Sequence, residues 1–132
     1  MAIDGLTIKE GATYTPSGGT DITFVESGET VANGIVCINE DETDFYAREK
    51  LYATARPPVV GSDGEFTKQK VSFRILDPGA LASGKMNYDL IRIEVEVHPE
   101  NGNTTVDKLV NLGIAALNSS DLSNFFRYGS LK

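Results

Sequence analysis

Three consecutive segments between Lys50 and Val97 alternate apolar and polar residues, and that period of two leaves few folds open. In KLYATAR, Leu51, Ala53 and Ala55 fall on one side, and Lys50, Tyr52, Thr54 and Arg56 on the other. In KQKVSFRI, Val71, Phe73 and Ile75 oppose Lys68, Lys70, Ser72 and Arg74. In YDLIRIEVEV, Ile91, Ile93, Val95 and Val97 oppose Tyr88, Leu90, Arg92, Glu94 and Glu96. Side chains alternate strictly along a strand, so these segments predict a sheet with one dry face and one basic face dotted with tyrosines.

The 132 residues fit one domain, 1–132, with enough chain to bury a core. The net charge of -7 argues against a generic nucleic-acid binder, but its distribution matters more than its sum. Between Arg48 and Arg92 there are eight basic residues against five acidic ones, while Glu40, Asp41, Glu42 and Asp44 cluster outside that window. A locally basic face can therefore sit on an acidic molecule. Cys37 is the single cysteine, which excludes an internal disulfide framework and reads as a small apolar residue in a reducing compartment. No run approaches the ~20 apolar residues of a membrane span, and the first residues lack the pattern of a signal peptide. The expectation is a soluble protein made in the cytosol, with no membrane partner.

In chain order, residues from Ala12 to Val25 read as a hairpin turning at Ser17-Gly18-Gly19, with Pro16 on the turn side of an edge strand. Asn33-Gly34 turns the chain into a strand from Ile35 to Ile38. The run from Asn39 to Asp44 lacks the glycine and distal glutamate of a calcium loop and reads as a solvated acidic loop. Strands follow from Lys50 to Arg56, Thr67 to Leu76 and Asn87 to His98, with Asp77 to Asn87 as an irregular loop. After His98 the period changes: Val106, Leu109, Val110, Gly113, Ile114 and Leu117 form one helical stripe, capped by Thr104 or Thr105. Gly113 in that stripe points to a close backbone approach. A second, Phe-rich helix follows Ser119 and ends at Gly129, and the triplets at Asn103 and Asn118 are explained as helix caps. The fold class is α+β: a hairpin at about 12–25, a sheet at about 34–98 of about six antiparallel strands in all with the hairpin, and two helices at about 105–128. Two such helices would leave a lone subunit with bare apolar surface, which points to a dimer or larger assembly.

No enzyme constellation is present: there is no P-loop, dinucleotide fingerprint, zinc spacing or serine elbow, and nothing but proximity of type links Cys37 to the single histidine, His98. No cofactor is implied. The basic face offers what RNA asks for, namely cations for phosphates, hydroxyls for base edges and rings for stacking. A merely solvated face explains the charges on any one strand; three strands agreeing in sign, with Tyr52 and Tyr88 interleaved, put a functional face on an equal footing with it. A small-molecule module or enzyme of curved-sheet-plus-helix type remains an alternative.

The collinear segments SGGTDITFV, VANGIV, KLYATAR and VSFRILDP and the helices from Val106 to Leu131 resemble the coat proteins of single-stranded RNA bacteriophages, the levivirus family. That resemblance implies an intertwined homodimer with one continuous sheet and helices crossing onto the partner, and an icosahedral shell with the Asp77–Asn87 loop at its symmetry axes. It also implies an inward face that binds single-stranded genomic RNA, with a hairpin acting as translational repressor and packaging signal. Carried onto this sequence, the RNA face is Ile35, Lys50, Tyr52, Thr54, Arg56, Ser72, Arg74, Tyr88 and Arg92, with Lys68 and Lys70 added from the strand pattern. Tyr52, Arg74 and Tyr88 depart from the small hydroxyl, lysine and amide common at those places in the family. Another phage structural component, a ring or tube subunit, is the remaining alternative.

Overall fold

The structure, a computed structural model, describes residues 5–11 and 14–129. Its elements are β1 (Phe24–Glu26), β2 (Gly34–Asn39), β3 (Lys50–Arg56), β4 (Gln69–Ala80), β5 (Met86–Val97), α1 (Gly102–Leu117) and α2 (Ser120–Tyr128). The five strands form one antiparallel sheet in the order β1-β2-β3-β4-β5. The chain divides into two compact units, one spanning Gly19–Glu100 and holding the whole sheet, the other holding the N-terminal segment and both helices.

The fold class read from the alternation holds, with five strands in place of about six. The expected hairpin of residues 12–25 is not formed: residues 14–17 lie in no strand, and β1 joins the main sheet through β2. Pro16 removes a donor from that arm, and the segment lacks the apolar alternation that would hold it on a partner. Ala12 and Thr13 lie outside the described residues. Gly18 and Gly19 do adopt the positive φ angles expected of the turn.

The irregular loop expected from Asp77 to Asn87 shrinks to residues 81–85. β4 and β5 stay paired as far as Ala80 and Met86, and the Gly84 N–H donates to the Leu81 carbonyl across a tight turn. Pro78 is tolerated because β3 begins at Lys50, opposite Leu76, so β4 is an edge strand beyond that point. At the other end of β3, Gly34 is required by space: a Cβ there would collide with the Ala53 carbonyl and lie 2.8 Å from Thr54 Cγ2. The acidic segment from Asn39 to Asp44 satisfies itself. Buried Asn39 donates to Glu49 at 2.7 Å and accepts from the Asp41 N–H at 2.9 Å, while Asp44 caps a 3-10 turn at Phe45–Ala47. Among the described residues no cluster of His, Cys, Asp or Glu is arranged to hold a metal, and no helix is long and apolar enough to cross a membrane.

In the helical unit α1 begins at Gly102, two residues before the expected threonine caps. Neither caps it; the Thr105 hydroxyl donates instead to the Asn101 carbonyl one turn back. Asn118 does bond the end of α1, through Nδ2 to the Ile114 carbonyl, and α2 is capped by Ser119 and closed by Gly129 at φ 63°. Apart from the backbone of its own helix and its chain neighbours, no described atom comes within 4 Å of where a Gly113 Cβ would stand, so the close backbone approach expected there is absent among the described residues. Leu109, Val110 and Leu117 of α1 and Phe126 of α2 are exposed.

Candidate nucleic-acid interface

Residues directly opposite in an antiparallel ladder share a face, so the register sorts the candidates. Tyr52 of β3 lies opposite Arg74 of β4, and Arg74 opposite Arg92 of β5. The next rank along is Thr54, Ser72 and Glu94, and the one after is Arg56, Lys70 and Glu96. In the other direction come Lys50, Leu76 and Leu90, then Pro78 with Tyr88. The expected polar face is thus real for Lys50, Tyr52, Thr54, Arg56, Lys70, Ser72, Arg74, Tyr88 and Arg92. Tyr88 stands four residues along β5 from Arg92, about 13 Å at strand rise. Lys68 precedes β4, outside the paired ladder.

Ile35 is a correction. It pairs with Ala53, on the dry face, and lines an apolar groove of about 500 Å³ with Ala55, Val71, Phe73, Ile93 and Val95. The polar-face position in β2 belongs to its neighbour Val36, opposite Tyr52. Val36 is 1% exposed because the segment 27–33 crosses that face: Ser27 donates to the Val36 carbonyl through both its N–H, at 2.9 Å, and its hydroxyl, at 3.1 Å.

That segment also delivers a residue the alternation of the strands does not reveal. Glu29 accepts from Lys50 Nζ at 3.0 Å and from the Tyr52 hydroxyl at 3.4 Å. The hydrogen bond and charge of Lys50 hold the Glu29 carboxyl below the usual carboxylate range, and Glu29 in turn raises Lys50. Lys70 is held between Glu94 at 3.6 Å and Glu96 at 3.7 Å. Both lysines of the sheet face are therefore already paired. The arginines differ. Arg74 lies over the Tyr52 ring, 4.3 Å from its centroid, a cation–π contact. Neither Arg74 nor Arg92 has a carboxylate within ion-pair distance among the described residues. With Val31, Tyr52, Thr54, Ser72 and Glu94 they line a groove of about 200 Å³, in which the Thr54 and Ser72 hydroxyls bond each other at 3.0 Å.

Cys37 is on β2, and the Nδ1 of His98 accepts from the Glu100 N–H at 3.2 Å, closing the end of the sheet unit.

No protein-family model matches the chain, and no curated protein does. Solved structures do. The chain is similar to that of the virus-like particle of bacteriophage GQ-907, at 32% identity and TM-score 0.92, over 99% of this chain and 100% of that one. It shares its fold with the virus-like particle of bacteriophage AVE019, at 16% identity and TM-score 0.66 over 96% and 97% of the two chains. The same holds for that of Beihai levi-like virus 21, at 14% identity and TM-score 0.62 over 88% and 91%. A five-stranded sheet with two helices after it, matched end to end at that identity, makes this chain a member of the coat-protein family of the levi-like single-stranded RNA bacteriophages, a structural capsid subunit and not an enzyme.

Proposed function

We propose that this coat protein acts as a dimer, builds an icosahedral shell from such dimers, and holds single-stranded genomic RNA against the polar face of its sheet. The observation that carries the RNA reading is the pairing of Arg74 with Arg92 across neighbouring strands. Like charges directly opposite destabilise a sheet, and among the described residues no carboxylate stands within ion-pair distance of either. A phosphate between the two guanidiniums replaces repulsion with shared, fork-shaped hydrogen bonding. Tyr52 offers a ring for a base, the Thr54 and Ser72 hydroxyls offer donors and acceptors to base edges, and Tyr88 reaches a separate nucleotide. Arg56 and Lys68 extend the positive field, whereas Lys50 and Lys70 contribute less while paired. The RNA captured is a genomic hairpin, whose binding represses translation and marks the genome for packaging into the virion, in the cytoplasm of the bacterial host where the subunit is made.

The dimer reading rests on β5, a twelve-residue strand at the outer edge of the sheet. A long unpaired edge invites another chain, and pairing it with β5 of a second copy makes one continuous sheet. The apolar groove of the dry face and the exposed apolar residues of α1 and α2 are suited to cover each other between copies. The exposed hairpin tip at Leu81 and Met86 is left for contacts around the symmetry axes of the shell.

Bacterial expression of the full chain tests both parts. Native mass spectrometry of the dissociated subunit is expected to give a dimer, and the particles are expected to contain RNA. A monomer as the smallest unit contradicts the dimer; particles without nucleic acid contradict the RNA face.

A further inference from the structure

We infer that Glu29 sets the RNA affinity of this face: the 27–33 segment delivers its carboxylate to the anion position on Lys50 and Tyr52, which RNA phosphate must take from it. The inference rests on the RNA reading above. Two donors from adjacent polar-face positions of β3 converge on one carboxylate, at 3.0 and 3.4 Å, which is the arrangement a phosphate oxygen pair would occupy. The contact is not an accident of a loose loop. Ser27 is tied twice to the Val36 carbonyl, the Gly34 N–H donates to the Val31 carbonyl at 3.3 Å, and the Glu29 N–H donates to the Ser27 hydroxyl at 3.2 Å. Both ends of the segment are pinned, and Gly28, at φ 86°, sets the bend between them.

Exposure makes the carboxylate exchangeable. The side chains of Lys50 and Glu29 are 30% and 47% exposed, and ion pairs of that kind are weak and yield to competitors. Glu94 and Glu96 differ, since they are rungs of β5 and cannot leave the face. Arg74 rests on the ring of the same Tyr52 whose hydroxyl meets Glu29, so a phosphate drawn to Arg74 arrives beside a like charge. Glu29 thereby confines RNA to the arginine rank until its exposed side chain swings off Lys50.

The test is fluorescence anisotropy of a labelled oligouridylate against the full chain and its variants. Glu29→Gln is expected to bind roughly threefold tighter, with a salt slope steeper by about 0.7 as one more phosphate is engaged. Tyr52→Phe keeps the ring and is expected to gain less. In a Lys50→Gln background the gain from Glu29→Gln vanishes. Unchanged or weaker binding by Glu29→Gln, or a gain that persists without Lys50, overturns the role of Glu29. Arg74→Gln separates the two readings: if it loses RNA while Glu29→Gln changes nothing, only the Glu29 inference fails, and if it keeps full affinity the RNA face itself fails.

Discussion

Replacing Arg74 and Arg92 together by glutamine is the perturbation whose size follows most directly from the geometry. Both guanidiniums stand on the polar side, opposite each other and without carboxylate partners among the described residues, Arg92 exposed and Arg74 half-buried over the Tyr52 ring. Each is therefore available to a phosphate at no cost in broken ion pairs. A hydrogen bond to a charged group contributes about 1.5–3 kcal/mol, and solvent exposure argues for the lower end, so each loss weakens binding about tenfold. The salt dependence is the sharper signature. One phosphate is shared by the two guanidiniums, so losing both removes one phosphate contact and lowers the slope of log affinity against log salt by about 0.7 per subunit engaged. Between 50 and 200 mM salt that changes the ratio of affinities by about 2.6-fold. Lys70→Gln is the control, because Lys70 already lies between Glu94 and Glu96 and is expected to change the slope by less than either arginine. The assay is a salt titration of RNA binding with particle yield and circular dichroism as checks on folding. A double variant with the wild-type slope, or a Lys70 effect equal to that of the arginines, refutes the assignment of phosphate contacts to this rank.

Gly34→Ala inserts a methyl group between β2 and β3 against the Ala53 carbonyl and Thr54 Cγ2, and is expected to cost about 1–3 kcal/mol, read as a lowered denaturation midpoint. Ile35→Asp charges the dry face rather than the polar one; it is expected to block assembly, seen by light scattering, while Ile35→Val leaves both assembly and RNA binding intact. Acid tests the Glu29 contact. Its carboxyl is held below the usual 4.5, so the contact is complete above that pH and is lost as pH falls through the lowered value. The affinity difference between wild type and Glu29→Gln is therefore expected to persist at neutral pH and to close only below about pH 4.5. A difference that disappears near neutrality contradicts it.

Much of the sheet is legible in the sequence because strand parity is a local property. Once Lys50, Tyr52, Thr54 and Arg56 alternate with Leu51, Ala53 and Ala55, the ladder fixes which residues of β4 and β5 join them. Motif likeness carries a position but not a parity, so it assigns Ile35 to the polar face although Ile35 lies on the dry one; the face is set by Gly34 lying opposite Thr54. Pro78 and Gly79 look like chain breakers until β4 is seen to outrun β3 and become an edge. Glu29 is invisible to periodicity because its partners lie 21 and 23 residues away and are met only when the segment folds across the sheet. The start of α1 is hidden for a related reason: the threonines are typical caps, but the 3-10 turn at Pro99–Asn101 already leads the chain into the helix.

This capsid subunit is built to assemble into a shell. Its sheet has an open long edge and an apolar groove, its helices expose apolar residues, and the chain matches a virus-like particle subunit from end to end. Electron microscopy of the purified protein tests this. Closed shells of uniform diameter are the predicted result; a monodisperse monomer at the same concentration would contradict it.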